Sequence, residues 1–165
     1  MPYQIRPAEL RDLPGLRDML WEAAAVAEVL RELGKEASLQ LPEIWKYLDG
    51  WGRPGDNGVV AVDDADLVIG AAWYRFFTAA APGYGYISDD IPELSIGVDA
   101  SARGQGVGEA LLRALIAEAR AQGLPALALS VDKQNRALRL YERLGFHDAG
   151  ITEATETSLT MILEL

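Results

Sequence analysis

Residues Arg103-Gly104-Gln105-Gly106-Val107-Gly108 constrain the folding of this chain more than any other stretch. The preceding Glu93-Leu94-Ser95-Ile96-Gly97-Val98 is apolar enough for a buried strand, and the following residues from Glu109 to Gln122 have helical spacing. Three glycines in six positions let the backbone pass close to a ligand and turn several N–H groups toward one point. A helix N-terminus behind them adds partial positive charge, which suits a phosphate or pyrophosphate. The spacing thus predicts an anion site between a strand and a helix, in a fold that uses both.

Known phosphate loops narrow the choice. A dinucleotide fingerprint needs G-x-G-x-x-G directly after a strand, but its third glycine would fall on Glu109, and Asp99 to Ala102 intervene. An ATP-type loop needs a Gly-Lys-Ser/Thr ending, which the chain lacks. What remains is R-x-x-G-x-G, carried by Arg103, Gly106 and Gly108. A plain glycine-rich turn that caps a helix is the bland alternative.

A second segment, Gln134 to Phe146, reads as a short helix opened by Gln134 or Asn135 and closed by Gly145. Ala137, Tyr141 and Leu144 fall on one face of it. Residues 127–131 before it read as a strand. These two segments resemble the signatures of the GNAT superfamily of acetyl-CoA-dependent N-acetyltransferases: R-x-x-G-x-G and A-x-x-L-Y-E-x-x-G-F. The likeness is specific from about Glu93 to Phe146. It implies a mixed α/β (α+β) fold in which helices flank a central, mostly antiparallel sheet, splayed open between its fourth and fifth strands.

The same resemblance implies acetyl-CoA as cosubstrate and assigns its contacts. The backbone of Ile96, Gly97 and Val98 would pair with the pantetheine arm and supply an oxyanion N–H. Arg103, Gly104, Gln105, Gly106, Val107, Gly108 and Glu109 would hold the phosphates. Gln134, Asn135, Ala137 and Tyr141 would complete the cofactor contacts. Relatives usually carry Asn seven residues before the tyrosine; here Gln134 stands there and Asn135 follows, so either amide could serve.

Acetyl transfer to an amine has three needs. The ammonium, with pKa near ~10.4, must lose a proton; the thioester oxygen must be stabilised as it gains charge; the departing thiolate gains from a proton donor. Tyr141 is the general-acid candidate, since a phenol is still protonated at neutral pH; an ordinary interior aromatic would have the same spacing. Glu93 is the general-base candidate, with Asp89, Asp90 and Tyr86 as fallbacks; an acid beside Pro92 at a strand start is also often only solvated. Ser130 reads as structural, with no histidine partner evident.

Composition enters through charge and missing residue types. There are no cysteines and one histidine, His147, so disulfides, thiolate metal sites, a cysteine acyl-enzyme and a histidine-rich metal site are excluded, and no metal is expected. The net charge is −10, which argues against nucleic-acid binding. Residues 101–143 hold seven Arg/Lys and four acids, so that stretch is +3 and the rest of the chain −13. A polyanionic cofactor would be drawn to the first region and a cationic amine to the second.

No apolar run approaches the ~20 residues of a membrane span. The expectation is a cytoplasmic enzyme forming a single domain over residues 1–165, with no membrane partner. Its acceptor is expected to be a small amine, and the family resemblance adds a homodimer. Two other functions stay open: a non-catalytic acyl-CoA-binding or regulatory domain on the same fold, and a protein N-terminal acetyltransferase.

Along the chain, residues 3–6 read as a strand, 12–27 and 38–48 as helices, and 50–58 as a loop. Residues 59–63 and 67–77 read as a hairpin, 78–92 as a link, and 146–152 and 158–165 as final strands.

Overall fold

The computed structural model describes residues 2–151 and 157–165. It comprises two compact units, Met1–Tyr74 with Ser95–Leu115, and Arg75–Leu94 with Ile116–Leu165. Among the described residues, helices accompany seven strands, mostly antiparallel, as expected of the mixed α/β class.

In the first unit the strand order is β1 (Gln4–Pro7), β2 (Asn57–Val62), β3 (Val68–Arg75), β4 (Glu93–Val98). Strands β1 and β2 pair antiparallel from Gln4 opposite Val62, and β2 and β3 form the expected hairpin. Asp66 turns that hairpin with φ 62°, while Asp63 Oδ1 accepts the N–H groups of Ala65 and Leu67 at 2.9 and 3.0 Å. This is an Asx-type device that suits a short aspartate-rich turn. The Asp99 N–H donates to Ile69 O at 2.9 Å beside β4 and β3.

Helix α1 (Leu13–Ala24) carries Pro14 in its first turn, where a missing N–H costs little. Its buried face is Leu16, Met19 and Leu20, each adding about 1.5–3 kcal/mol on removal from water. A short 3-10 turn, Leu10–Asp12, precedes it. Asp12 is buried there; it accepts the Glu9 N–H at 2.7 Å and both Arg6 terminal nitrogens at 2.8 and 2.9 Å. The Arg6 guanidinium lowers the Asp12 carboxyl below its ordinary range.

The single helix expected over 38–48 is corrected: that stretch holds only the end of α3 (Lys35–Leu39) and then α4 (Pro42–Trp45), and a further short helix, α2 (Glu28–Leu33), precedes them where none was expected. Gly34 at φ 95° ends α2, and Pro42 starts a fresh helix after the extended Leu41. Within 38–48 it is Pro42, lacking an N–H, that interrupts the i→i−4 ladder, whereas Gly34 separates α2 from α3.

In the second unit the order is β4, β5 (Ala126–Asp132), β7 (Ser158–Glu164), β6 (His147–Asp148). Strands β5 and β7 pair antiparallel along their length, from Ala126 opposite Glu164 to Asp132 opposite Ser158. The β4–β5 pair is parallel, and among the described residues its ladder is the one pair Glu93 opposite Ala128. That pair lies at the start of β4, within the second unit. Helix α6 (Ala137–Arg143) lies between β5 and β6 in the chain. The expected strand 146–152 is the two-residue β6, and Thr152 lies outside the described residues.

Helix α5 (Val107–Ala121) begins in the first unit and ends in the second. Leu111, Leu112 and Leu115 are fully buried on the earlier part, Ala119 on the later. No helix among the described residues is long and apolar enough to cross a membrane.

Candidate active site

The phosphate-loop residues lie in the first unit. Asp99 follows β4 and caps a 3-10 turn, Ala100–Ala102, by accepting the Ser101 N–H at 3.0 Å. That turn absorbs the four residues between strand and loop, and hydrogen bonds from Ser101 hold the Asp99 carboxyl below its ordinary pKa. Gly104 and Gly106 then adopt φ 77° and 79°. A Cβ built on either would meet nothing within 4 Å. Glycine is needed there for backbone conformation, and the space beside it is open. The Ala110 N–H reaches Gly106 O at 3.1 Å, so Val107, Gly108 and Glu109 form the first turn of α5, whose leading N–H groups have no intrahelical acceptor.

Arg103 is anchored rather than adrift. Its Nε donates to Val98 O at 3.2 Å and its Nη2 to Glu22 on α1 at 2.8 Å. Gln105 donates to Ser101 O at 3.3 Å, and Glu109 pairs with Arg113 at 3.4 Å one turn on. Ile96 and Val98 are half-buried, and Gly97 is buried between them. A Cβ at Gly97 would collide with the carbonyl oxygen of Met19 and lie 2.9 Å from its carbon. The close passage of α1 over β4 therefore requires glycine. This loop, two left-handed glycines ahead of a helix N-terminus with an arginine beside them, has the donors and the room that a pyrophosphate needs.

The acid–base candidates lie in the second unit. Tyr141 on α6 is buried, packed edge-on against Phe146 with ring centroids 5.9 Å apart. Burial alone pushes its phenol up to about 12, so it stays protonated at any physiological pH. Glu93 is also buried, at 4 % exposure. Its Oε1 accepts the Gly85 N–H at 3.0 Å. The fallback acids differ: Asp89 and Asp90 are exposed and engaged locally, Asp89 by the Tyr86 hydroxyl and the Ala79 N–H, Asp90 by the Ser88 hydroxyl. The bond to Asp89 raises the Tyr86 phenol above its ordinary range. Ser130 sits in the β5–β7 ladder opposite Thr160.

The amides ahead of α6 are distinguished by their work. Asn135 Oδ1 accepts the Ala137 N–H at 2.9 Å and so opens the helix, whereas Gln134 is exposed, with its backbone N–H on Asp132 Oδ1 at 2.8 Å. Gly145 at φ 103° ends the helix as expected, donating to Glu142 O at 3.1 Å. His147 hydrogen-bonds Glu164 across β6 and β7, at 2.8 Å, on an exposed surface.

Sequence reading missed Gly83 and Gly85, which lie against Glu93 and β5; a run of Ala, Gly, Pro and Tyr signals only a loop. It also missed the Glu22 partner of Arg103, which stands 81 residues away in sequence.

The glycine loop on the helix N-terminus, within the first unit, is an arrangement that suits the pyrophosphate of a coenzyme. Comparison with known proteins agrees. The family model described as acetyltransferase (GNAT) family matches residues 16–146, and the chain belongs to that family. It is an acetyl-CoA-dependent N-acetyltransferase. The chain is similar to the L-methionine sulfoximine/L-methionine sulfone acetyltransferase of Pseudomonas paraeruginosa, at 32% identity over 91% of this chain and 83% of that protein. Among solved structures, it is similar to the ribosomal-protein-alanine N-acetyltransferase from Brucella melitensis: TM-score 0.71, 27% identity, covering 98% of this chain and 99% of that one. The phosphinothricin acetyltransferase from Sinorhizobium meliloti, solved in complex with AcCoA, shares the fold at TM-score 0.69 and 23% identity, over 100% of this chain and 89% of that one.

Proposed function

We propose that this chain moves the acetyl group of acetyl-CoA onto the primary amine of a small, amino-acid-like acceptor, as a single cytoplasmic catalytic domain. The observation that carries the acceptor class is the 32% identity, over 91% of the chain, to an enzyme named for L-methionine sulfoximine and L-methionine sulfone. The family match runs through residues of both units, which supports one catalytic domain.

Glu93 takes a proton from the bound ammonium, directly or through a water, and frees the nitrogen lone pair to attack the thioester carbonyl. A β4 backbone N–H within Ile96 to Val98 donates to the carbonyl oxygen as it becomes an oxyanion. The carbon–sulfur bond then breaks and Tyr141 donates toward the departing thiolate. The nitrogen gives up two protons in all; one accounts for the thiol and one reaches solvent. Burial keeps the Tyr141 phenol protonated, so it has a proton to offer the sulfur through a hydrogen bond that strengthens as charge grows there. Gly104 to Glu109 and Arg103 hold the phosphates, Arg103 exchanging Glu22 for the anion. Gln134, Asn135 and Ala137 contact the rest of the cosubstrate.

Thiol release from acetyl-CoA tests this across L-methionine sulfone, L-methionine sulfoximine, simple alkylamines and a peptide with N-terminal alanine. The absence of cysteine keeps the protein's own background silent. Release that depends on the amino-acid sulfone supports the proposal. Release with the peptide alone would favour the second reading, an N-terminal protein acetyltransferase, which the 27% identity to the ribosomal-protein-alanine enzyme keeps open.

A further inference from the structure

Within the second unit, the carboxylate of Glu93 is housed by backbone. The turn Gly83–Tyr86, closed by the Tyr86 N–H to Gly83 O at 3.2 Å, lies over it. Gly83 and Gly85 are buried, while Tyr84 between them is exposed. The Gly85 N–H donates to Glu93 Oε1 at 3.0 Å. A Cβ on Gly85 would fall 2.7 Å from the Leu129 carbon and 2.8 Å from the Ser130 nitrogen, so this residue is wedged against the main chain of β5.

Gly83 is different. A Cβ there would run into Glu93 Oε1 and lie 3.1 Å from Glu93 Cδ, with Phe77 Cδ2 next at 3.2 Å. The Gly83 backbone is not in the left-handed region, so alanine is conformationally permitted. The obstruction to a side chain at 83 is the carboxylate itself, together with one ring edge. The Glu93 backbone is held, as the β4 residue paired with Ala128 and with the Ala128 N–H donating to Pro92 O at 3.0 Å, so it is the carboxylate end of the side chain that must give way.

The geometry points to Gly83 as a positioning residue for acetyl transfer: its missing side chain leaves the volume in which Gly85 fixes the Glu93 carboxylate. This rests on the proposed role of Glu93 as general base. A methyl group at 83 would push Oε1 off the Gly85 N–H, displacing the proton acceptor by roughly 1 Å before ordinary contact is restored. Misplacement on that scale can cost ~10²-fold in rate.

The test is a cycle of Gly83→Ala and Glu93→Gln, read as kcat with L-methionine sulfone and acetyl-CoA, with acetyl-CoA binding and Tm measured alongside. Gly83→Ala is expected to lower kcat by ~30–100-fold while acetyl-CoA binding stays within about twofold, and to move the acidic limb of the pH–rate profile. In the Glu93→Gln background the same change is expected to cost less than about threefold, since the group it displaces no longer works. An equal loss in both backgrounds, or wild-type kcat in folded Gly83→Ala, would overturn the positioning role and leave the base assignment intact. Wild-type kcat and pH profile in Glu93→Gln would remove the base and the positioning role with it. Should Gly83→Ala fail to fold, Glu93→Asp asks the same question, because it keeps the carboxylate but withdraws it from the turn. A tenfold or greater loss of kcat supports the requirement for position; full activity overturns it.

Discussion

Tyr141 and His147 show how differently two titratable side chains can be set by their surroundings. The Tyr141 phenol is dry and lifted to about 12, so removing its hydroxyl should leave the aromatic packing against Phe146 in place. Tyr141→Phe is expected to fold, to bind acetyl-CoA normally in calorimetry, and to turn over ~10²-fold or more slowly. Unchanged turnover would take the hydroxyl out of the reaction. His147 is exposed, and its bond to Glu164 raises its pKa above the ordinary 6.5. Because the folded value is raised, any stability the pair lends is complete below 6.5 and fades as pH climbs through the folded value. As the chain's one histidine, it gives an isolated proton NMR titration. Its midpoint should lie above 6.5 and fall back in Glu164→Gln; a midpoint at or below 6.5 in the parent would refute the pairing.

Among elements, the loop ahead of α5 separates conformational need from contact. Gly104 and Gly106 have left-handed backbones and empty surroundings, so a substitution there is strained without being obstructed. Alanine at either position should weaken acetyl-CoA binding by about tenfold, following a cost of roughly 1–2 kcal/mol for the left-handed backbone. Asparagine, which tolerates that region, should weaken it less. Equal loss for both substitutions would mean that contact, not conformation, decides. This element was legible beforehand because glycine spacing and helical periodicity are local, and the same holds for the Asn135 cap, the Gly145 stop and the bounds of β4. The short helices were not legible as such: the expected helix over 38–48 ran through Pro42, and α2 was not expected at all. Two kinds of contact were also beyond reach. Arg103 meets Glu22 from far along the chain, and Glu93 and Gly97 owe their surroundings to backbone that happens to pass near, at Gly83, Gly85 and Met19. Residue types announce side-chain chemistry, but a main chain brought close by folding announces nothing except a requirement for glycine.

At the scale of the whole molecule, the charge pattern makes its own prediction. A chain of −10 that concentrates +3 in residues 101–143 attracts a polyanion locally and repels it elsewhere. The kcat/KM for acetyl-CoA should fall several-fold between about 0.05 and 0.5 M salt, as the Debye length shrinks from roughly 14 Å to 4 Å. A zwitterionic acceptor should show little change. A flat profile for acetyl-CoA would mean that hydrogen bonds and shape hold it without help from the field.

The chain passes from one compact unit to the other at Tyr74/Arg75, Leu94/Ser95 and Leu115/Ile116. These points fall inside β3, β4 and α5, whereas separable domains are joined through exposed linkers. Residues 1–94 expressed alone should therefore show no cooperative melt; a sharp transition would mark an autonomous fragment. The same interleaving bears on how such a chain can diversify. Gene recombination between relatives would seldom transplant either unit as a cassette, because every crossover that isolates one must cut through a strand or a helix. Change is then expected to accumulate by substitution within loops such as Thr78–Pro82, whose residues are exposed, rather than by exchange of parts.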